Sequence, residues 1–294
     1  MKSLLLSLLL VCVALTARSQ DGFLDRFTLR QSFQSRNARA EPAIFTFTKP
    51  REKEASWLLN AAIGYNLLKN STSDLTLNPY VEYHKNTLID RMQDNWQAGV
   101  SSEWQSRDLS QKPWTPIFIT ALKYNEDKIK NNTSFQGNLY FTPLFKGKAM
   151  DPLYFWIPNN TSNFGRAFQF TYTPYIGLEN ENRINTEIEA SSGHIYRAVF
   201  RITSEISLFP QNEQWRGKFE FYLDWQYRNN FRETVTDLTA ADHKYFTSSF
   251  NYTFFSEDDG NKSAKIGLDY TNGENPTRNF EQQSFYAISL KVKL

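Results

Sequence analysis

The sequence predicts an all-β fold, a single transmembrane antiparallel up-and-down β-barrel of about 12 strands. Three observations carry that expectation. Side chains alternate apolar and polar with period two over unusually long stretches. The chain opens with an export-type leader. It holds 7 Trp, 15 Tyr and 24 Phe although its mean hydropathy is negative, a combination expected of aromatic girdles around a polar interior.

In chain order, the leader comes first. Lys2 supplies a charged start, Leu4 to Leu15 form an apolar run, and Ala17-Arg18-Ser19 is a small-x-small cleavage site, so residues 1–19 read as a signal peptide. Its apolar run is shorter than the roughly 20 residues of a spanning helix, and no other stretch comes close. The only cysteine, Cys12, lies inside the leader, which leaves the exported chain without a disulfide framework. Val11 before it is a poor residue for lipidation. Removing Lys2 and Arg18 from 33 basic residues balances the 31 acidic ones, so no global field points to nucleic acid. Residues 20–41 lack alternation and are expected to form an N-terminal periplasmic extension, with the barrel occupying 42–294.

Period-two segments then recur at 42–48, 56–68, 75–84, 96–105, 116–125, 135–144, 167–178, 196–208, 215–228, 244–254, 263–271 and 284–294. The clearest places Trp215, Phe219, Phe221, Leu223, Trp225 and Tyr227 on one face and Arg216, Lys218, Glu220, Tyr222, Asp224 and Arg228 on the other. Such a strand far exceeds the usual soluble length of about 5–6 residues. In the C-terminal half the connections are expected to alternate, short at 209–214 and 255–262 and long at 229–243 and 272–283. Membrane barrels behave this way, with short periplasmic turns and longer outer loops. The segment 145–166, which contains Leu153-Tyr154-Phe155-Trp156-Ile157, breaks the scheme; an inward-folded plug or a miscounted strand would each explain it.

The last segment sets Tyr286, Ile288, Leu290, Val292 and Leu294 against Ala287, Ser289, Lys291 and Lys293. It resembles the closing strand of the bacterial outer-membrane β-barrel superfamily, with Leu294 in place of the usual final Phe. The resemblance implies a Gram-negative outer-membrane location, contact with outer-membrane lipid and lipopolysaccharide, and handling by the barrel-assembly machinery. It also brings one enzyme into view. Outer-membrane phospholipase A is itself a twelve-stranded barrel, and its first strand is similar to Glu41-Pro42-Ala43-Ile44-Phe45-Thr46-Phe47-Thr48. Its nucleophile follows its histidine by two positions. Here Asn86, Tyr196 and Tyr245 follow His84, His194 and His243, so an enzyme is not expected. Ser191 and Ser192 before His194 read as a turn.

No His or Cys pair stands at metal-ligand spacing, and Glu257-Asp258-Asp259-Gly260-Asn261 reads as a hairpin turn rather than a calcium loop. No cofactor is expected. The functional candidates are the lumen-facing charges Arg197, Arg201, Glu205, Arg216, Lys218, Glu220, Asp224 and Arg228. A basic row would select anions, whereas interleaved acids would form a compensated lattice, the preferred reading because buried charges require partners.

Matching polar faces across the 196–228 hairpin requires opposed residue numbers with an odd total. A total of 421 would oppose Arg197 to Asp224, Arg201 to Glu220 and Glu205 to Arg216; 425 would oppose like charges, and a bulge or a shift to 423 is the main risk because Pro210 suits a tight turn poorly. The expected function is a small passive porin or substrate-specific channel with a mixed-charge lumen. A closed docking barrel displaying its loops is the alternative, and a lipid hydrolase is disfavoured.

Overall fold

The computed structural model describes residues 24–36, 41–48, 55–69, 74–87, 92–106, 112–145, 151–185, 191–236, 240–257, 262–278 and 280–293. The leader at 1–19 with Cys12, the acidic turn at 258–261 and Leu294 lie outside these residues. Among the described residues the chain is all-β. Its strands are β1 (Phe27–Arg30), β2 (Ala43–Thr48), β3 (Ser56–Tyr65), β4 (Leu75–Asn86), β5 (Gln93–Gln105), β6 (Trp114–Asp127), β7 (Asn132–Phe145), β8 (Ser162–Phe164), β9 (Phe168–Asn185), β10 (Gly193–Leu208), β11 (Phe219–Glu233), β12 (Asp242–Ser256), β13 (Ser263–Asn275) and β14 (Glu281–Lys293). Leaving out β1 and β8, 12 strands pair antiparallel with their neighbours. Leu290, Lys291 and Val292 of β14 face Phe45, Ile44 and Ala43 of β2. That pairing closes the barrel and abolishes the sheet edges.

Period two decides which side chains face in. On β11 the outward face holds Phe219, Phe221, Leu223, Trp225 and Tyr227, while Asp224, Gln226 and Arg228 are buried inside. Neighbouring strands repeat the division. Val81, Val100, Leu122, Leu139, Ile176, Leu178, Leu268 and Ile288 are exposed outside, while Glu82, Gln97, Lys123, Asn138, Glu179 and Ser289 are buried within. A solvated protein would normally have its apolar face inside, so the barrel is inverted with respect to a soluble core.

Near one end of this outer face stand Trp57, Tyr83, Trp96, Tyr124, Tyr196, Tyr227, Tyr270 and Tyr286. Several turn their polar atoms to rim carboxylates: the Tyr83 hydroxyl to Asp94, 3.1 Å, the Trp96 indole to Glu126, 2.9 Å, and the Tyr227 hydroxyl to Asp242, 2.6 Å.

Parity is as expected from the sequence, but the β10–β11 register is not. Phe200 faces Tyr227, Thr203 faces Asp224 and Ser207 faces Glu220, a total of 427 rather than 421, 423 or 425. The cause is the turn. Phe209 and Gly217 adopt left-handed backbones (φ 53° and 73°), and the Asn212 side chain accepts from the Gln214 and Trp215 N–H groups, 3.0 and 3.2 Å. Residues 215–218 therefore belong to a wide turn, and β11 begins at Phe219.

The anticipated alternation of short and long connections also fails. Strands continue past the apolar face, as β9 does through Asn180, Asn182 and Asn185, because ladder hydrogen bonds need only backbone. This shortens the loops at 234–241 and 276–280. The longer connections at 66–74, 106–113, 146–167 and 209–218 cluster at the end that holds both termini of the barrel.

The expected boundary at residue 42 moves as well. Phe27–Arg30 already pairs with β3, Phe27 opposite Tyr65 and Arg30 opposite Ala62, and β2 continues along the same edge with Ile44 opposite Asn60. The two are halves of one interrupted strand. Between them the chain leaves the wall and returns, its ends joined by the Gln31 N–H donating to the Glu41 carbonyl, 2.8 Å.

Candidate functional site

The interruption between β1 and β2 builds the site, because residues 31–36 and Glu41 contact inward-facing side chains of the wall rather than solvent. Phe33 is 2 % exposed. Its ring stacks on Tyr80 with centroids 4.9 Å apart, and the Arg30 guanidinium lies 4.6 Å from its centre. Gly64 makes room for it: a Cβ there would stand 2.1 Å from Phe33 Cζ. Glu82 on β4 accepts from the Phe33 N–H, 2.7 Å, and the Ser32 hydroxyl, 3.1 Å. The contacts then reach across the barrel. Arg36 donates to Gln105 on β5, 2.9 Å, and to Asn159, 3.3 Å. Glu41 accepts from Arg201 on β10, 2.7 Å, and from the Tyr222 hydroxyl on β11, 2.8 Å. Both walls hold the loop.

Asn159 comes from the segment that the sequence left unexplained. It is held by Thr142, Pro143 and Thr173 through side-chain hydrogen bonds of 2.9, 2.7 and 2.8 Å. Ser162 then faces Phe170, so β8 takes the edge of β9 that β7 leaves beyond Phe141. Asn159 of that segment does face inward, though the described residues that reach into the lumen are chiefly 31–36 and Glu41.

Above the loop lies a charge cluster. Arg228 grips Glu179 on β9 through Nε and Nη2, both near 3.0 Å, reaching across β10 to do so. Arg197 pairs with Glu181, 2.8 Å, and donates to Asn230, 3.0 Å. Arg183 donates to Glu181, 2.9 Å, and Lys123 to Gln97, 2.8 Å. Phe280, at φ 62°, lies within 4.6 Å of the Arg197 guanidinium and stacks on His243 at 4.0 Å. Its loop spans the mouth: the Thr277 carbonyl accepts from Gln93 and Asn95 of β5, 2.8 and 3.0 Å, and Glu281 pairs with Lys130 at the β6–β7 turn, 2.8 Å.

The sequence-selected charges therefore divide. Arg201 takes Asp224 in a two-point contact, 2.9 and 2.8 Å, instead of Glu220. Glu220 instead pairs with Lys265, 2.7 Å. Arg197 reaches Glu181 rather than Asp224, and Arg228 joins it one strand away. Glu205 lines the cleft near the termini, with the Ser207 hydroxyl at 3.5 Å. Arg216 stands exposed and Lys218 half-buried in the turn, outside β11. Missed by sequence reasoning were Glu179, Glu181 and Arg183, although they continue the inward parity of Thr171, Thr173 and Tyr175. Glu82 was missed although it shares the inward parity of Asn78, Tyr80 and His84 in the 75–84 segment; Phe33 and Glu41 had no periodic signal to reveal them.

A cleft of about 410 Å³ remains against β9 to β14 and β2, from Ser256, Ser263 and Lys293 at one end to Asn86, Asn275 and Gln283 at the other. Hydroxyls dominate it, among them Thr46, Thr203, Thr247, Ser249, Thr253 and Thr271. Its lysines are compensated where they pair: Lys265 with Glu220, and Lys291 with Asp269, 2.6 Å.

The histidines do other things. His84 is buried between Asn60, 3.0 Å, and Glu82, 3.4 Å; His243 bonds Glu274, 3.0 Å; and His194 lies beside Tyr196.

Fold and site define a closed 12-strand barrel with an apolar exterior and a polar, partly filled lumen. No protein-family model matches the sequence, and no curated protein is detectably similar to it.

Proposed function

We propose that this chain is an outer-membrane β-barrel acting as a substrate-selective channel, whose lumen admits small, uncharged, polar solutes along one wall. The observation that carries this reading is the seating of residues 31–36 and Glu41 inside the lumen, the first held by Glu82 and the second by Arg201 and Tyr222. These residues narrow the lumen, and in this reading the solute passes along the hydroxyl-rich cleft beside them. Ion selectivity needs a row of one sign, and here Lys265 and Lys291 stand against Glu220 and Asp269. A wall of hydroxyl and amide groups suits a solute that exchanges its water for alternating donors and acceptors, such as a small polyol. The apolar exterior with its aromatic rim supports placement in a bilayer.

A second reading, a closed docking barrel, is favoured by the loop at 276–280, which lies over one mouth. Reconstitution distinguishes them. Vesicles holding the refolded protein should swell in small polyols but not in trisaccharides, with low electrical conductance. Large unselective conductance would overturn the selective channel, and complete impermeability would favour the closed barrel.

A further inference from the structure

The segment at 151–157 does not serve the lumen. It turns over the outer face of the wall, where the Tyr172 hydroxyl on β9 donates to the Trp156 carbonyl. Tyr172 pairs with Ser204 of β10 and shares the outward parity of Phe170, Ile176 and Leu178 on β9, so this contact is made on the apolar outer face. From there Leu153, Phe155 and Trp156 point away from the protein, 77 %, 51 % and 61 % exposed. An aromatic chain joins them to the wall: Phe155 to Phe164 at 6.4 Å, Phe164 stacked on Phe168 at 4.7 Å. Between Asp151 and Arg166 no residue carries a charge.

The backbone gives a second, independent observation. The Leu153 N–H donates to the Asp151 side chain, 2.9 Å, Tyr154 to the Asp151 carbonyl, 3.1 Å, Phe155 to Pro152, 3.3 Å, and Ile157 to Tyr154, 3.0 Å. Pro152 and Pro158 have no N–H to satisfy. In hydrocarbon each unsatisfied backbone group costs several kcal/mol, so the pairing of these four N–H groups lowers the cost of placing the segment in lipid. A loop destined for water gains little by exposing three large apolar side chains beside an apolar wall.

We propose that 151–157 is a lipid-embedded ledge, a lateral anchor that seats Leu153, Phe155 and Trp156 among acyl chains at the end of the barrel holding its termini. The proposal rests on the membrane-spanning reading, and its test separates the two. In the full chain with Cys12→Ser, single cysteines at Trp156, Leu153, Leu268 and Glu213 carry an environment-sensitive fluorophore in phosphatidylcholine vesicles. Nitroxide-labelled phosphatidylcholine is the quencher. Labels on Trp156→Cys and Leu153→Cys should be quenched several-fold more than the label on Glu213→Cys in the 209–218 turn, and comparably to Leu268→Cys on the apolar wall. Quenching at 268 with 153 and 156 no different from 213 would overturn the ledge. Pyrene excimer emission at 156, with no lipid quenching there, would overturn it in favour of a second copy of the chain. No quenching at 268 would overturn the membrane reading and the ledge together.

Discussion

Phe33 and Gly64 allow the inward loop to be unseated by two chemically opposite changes. Phe33→Ala removes a ring that is 2 % exposed, stacked on Tyr80 and covered by Arg30. Phe-to-Ala changes in such sites cost about 3–5 kcal/mol. Gly64→Ala adds one methyl group on the barrel wall, 2.1 Å from Phe33 Cζ and 2.7 Å from Cε1. Relief of such overpacking typically costs about 1–3 kcal/mol, and here the cheaper movement belongs to the loop, since Gly64 is fixed between Thr28 and Tyr80 by the strand ladder. A shift of about 3 kcal/mol changes the ratio of seated to unseated loop by about a hundredfold. The assay is conductance of the refolded protein in planar bilayers, with vesicle swelling in polyols and trisaccharides. Both variants should conduct more and admit larger solutes while keeping the heat-modifiable migration of a closed barrel. If both remain folded and neither changes conductance or size cut-off, the loop does not set the passage and the argument from its contacts is wrong.

Three further outcomes test the remaining links. Glu179→Leu or Arg228→Met alone should lower stability by about 3–5 kcal/mol by stranding a buried charge, with much of the loss recovered in the double variant; the readout is the urea midpoint in detergent, and a strictly additive double variant would refute the pairing as the cause. Thr247→Trp, on the open wall, should slow polyol entry without altering the heat-dissociation temperature. Equal swelling rates would show that solute does not pass along the β12 side. Finally, the purified protein should release no fatty acid from phospholipid with or without calcium, because Asn86, Tyr196 and Tyr245, not serines, stand two positions after the three histidines; calcium-dependent release abolished by His194→Ala would contradict this.

Strand identity and facing were legible because alternation is a local property. Trp225 out and Asp224 in follow from period two, whatever the partner strand does. Register was not legible, since it depends on how 209–218 closes: the left-handed backbones at Phe209 and Gly217 and the Asn212 cap convert part of an alternating segment into turn. Strand ends were misplaced for a related reason. Apolar alternation reports contact with the exterior, and it stops at Leu178, whereas backbone pairing continues to Asn185. The loop at 31–41 was hidden because Ser32, Gln34, Ser35 and Arg36 have the composition of a solvated tail. In a lumen whose walls carry Glu82 and Gln105, that same polarity is what allows the chain to enter.

Barrel width explains why such filling is needed and why it is uneven. Around 8 strands, inward side chains can meet and fill the interior; at 12 they cannot. Either water or an additional segment must occupy the axis. On the β4, β6, β7, β9 and β10 walls the inward residues are long, including Glu82, Lys123, Gln136, Tyr140, Glu179, Glu181, Arg197 and Arg201, and they extend to the loop and to one another. On β12 to β14 short residues are more frequent, Thr247, Ser249, Thr253, Gly267, Thr271, Ala287 and Ser289, with Tyr245, Lys265 and Lys291 among them. The loop leans toward the long side, held there by Glu82 and the Tyr80 and Arg30 contacts to Phe33, so the space it leaves is bounded by the short side. Residue size around the ring thus sets the position of the cleft, and charge pairing sets its neutrality. Widening the cleft without changing its solute class would require shortening the loop's neighbours. Changing the class without widening it would require breaking Lys265–Glu220 or Lys291–Asp269, which leaves one sign facing the path.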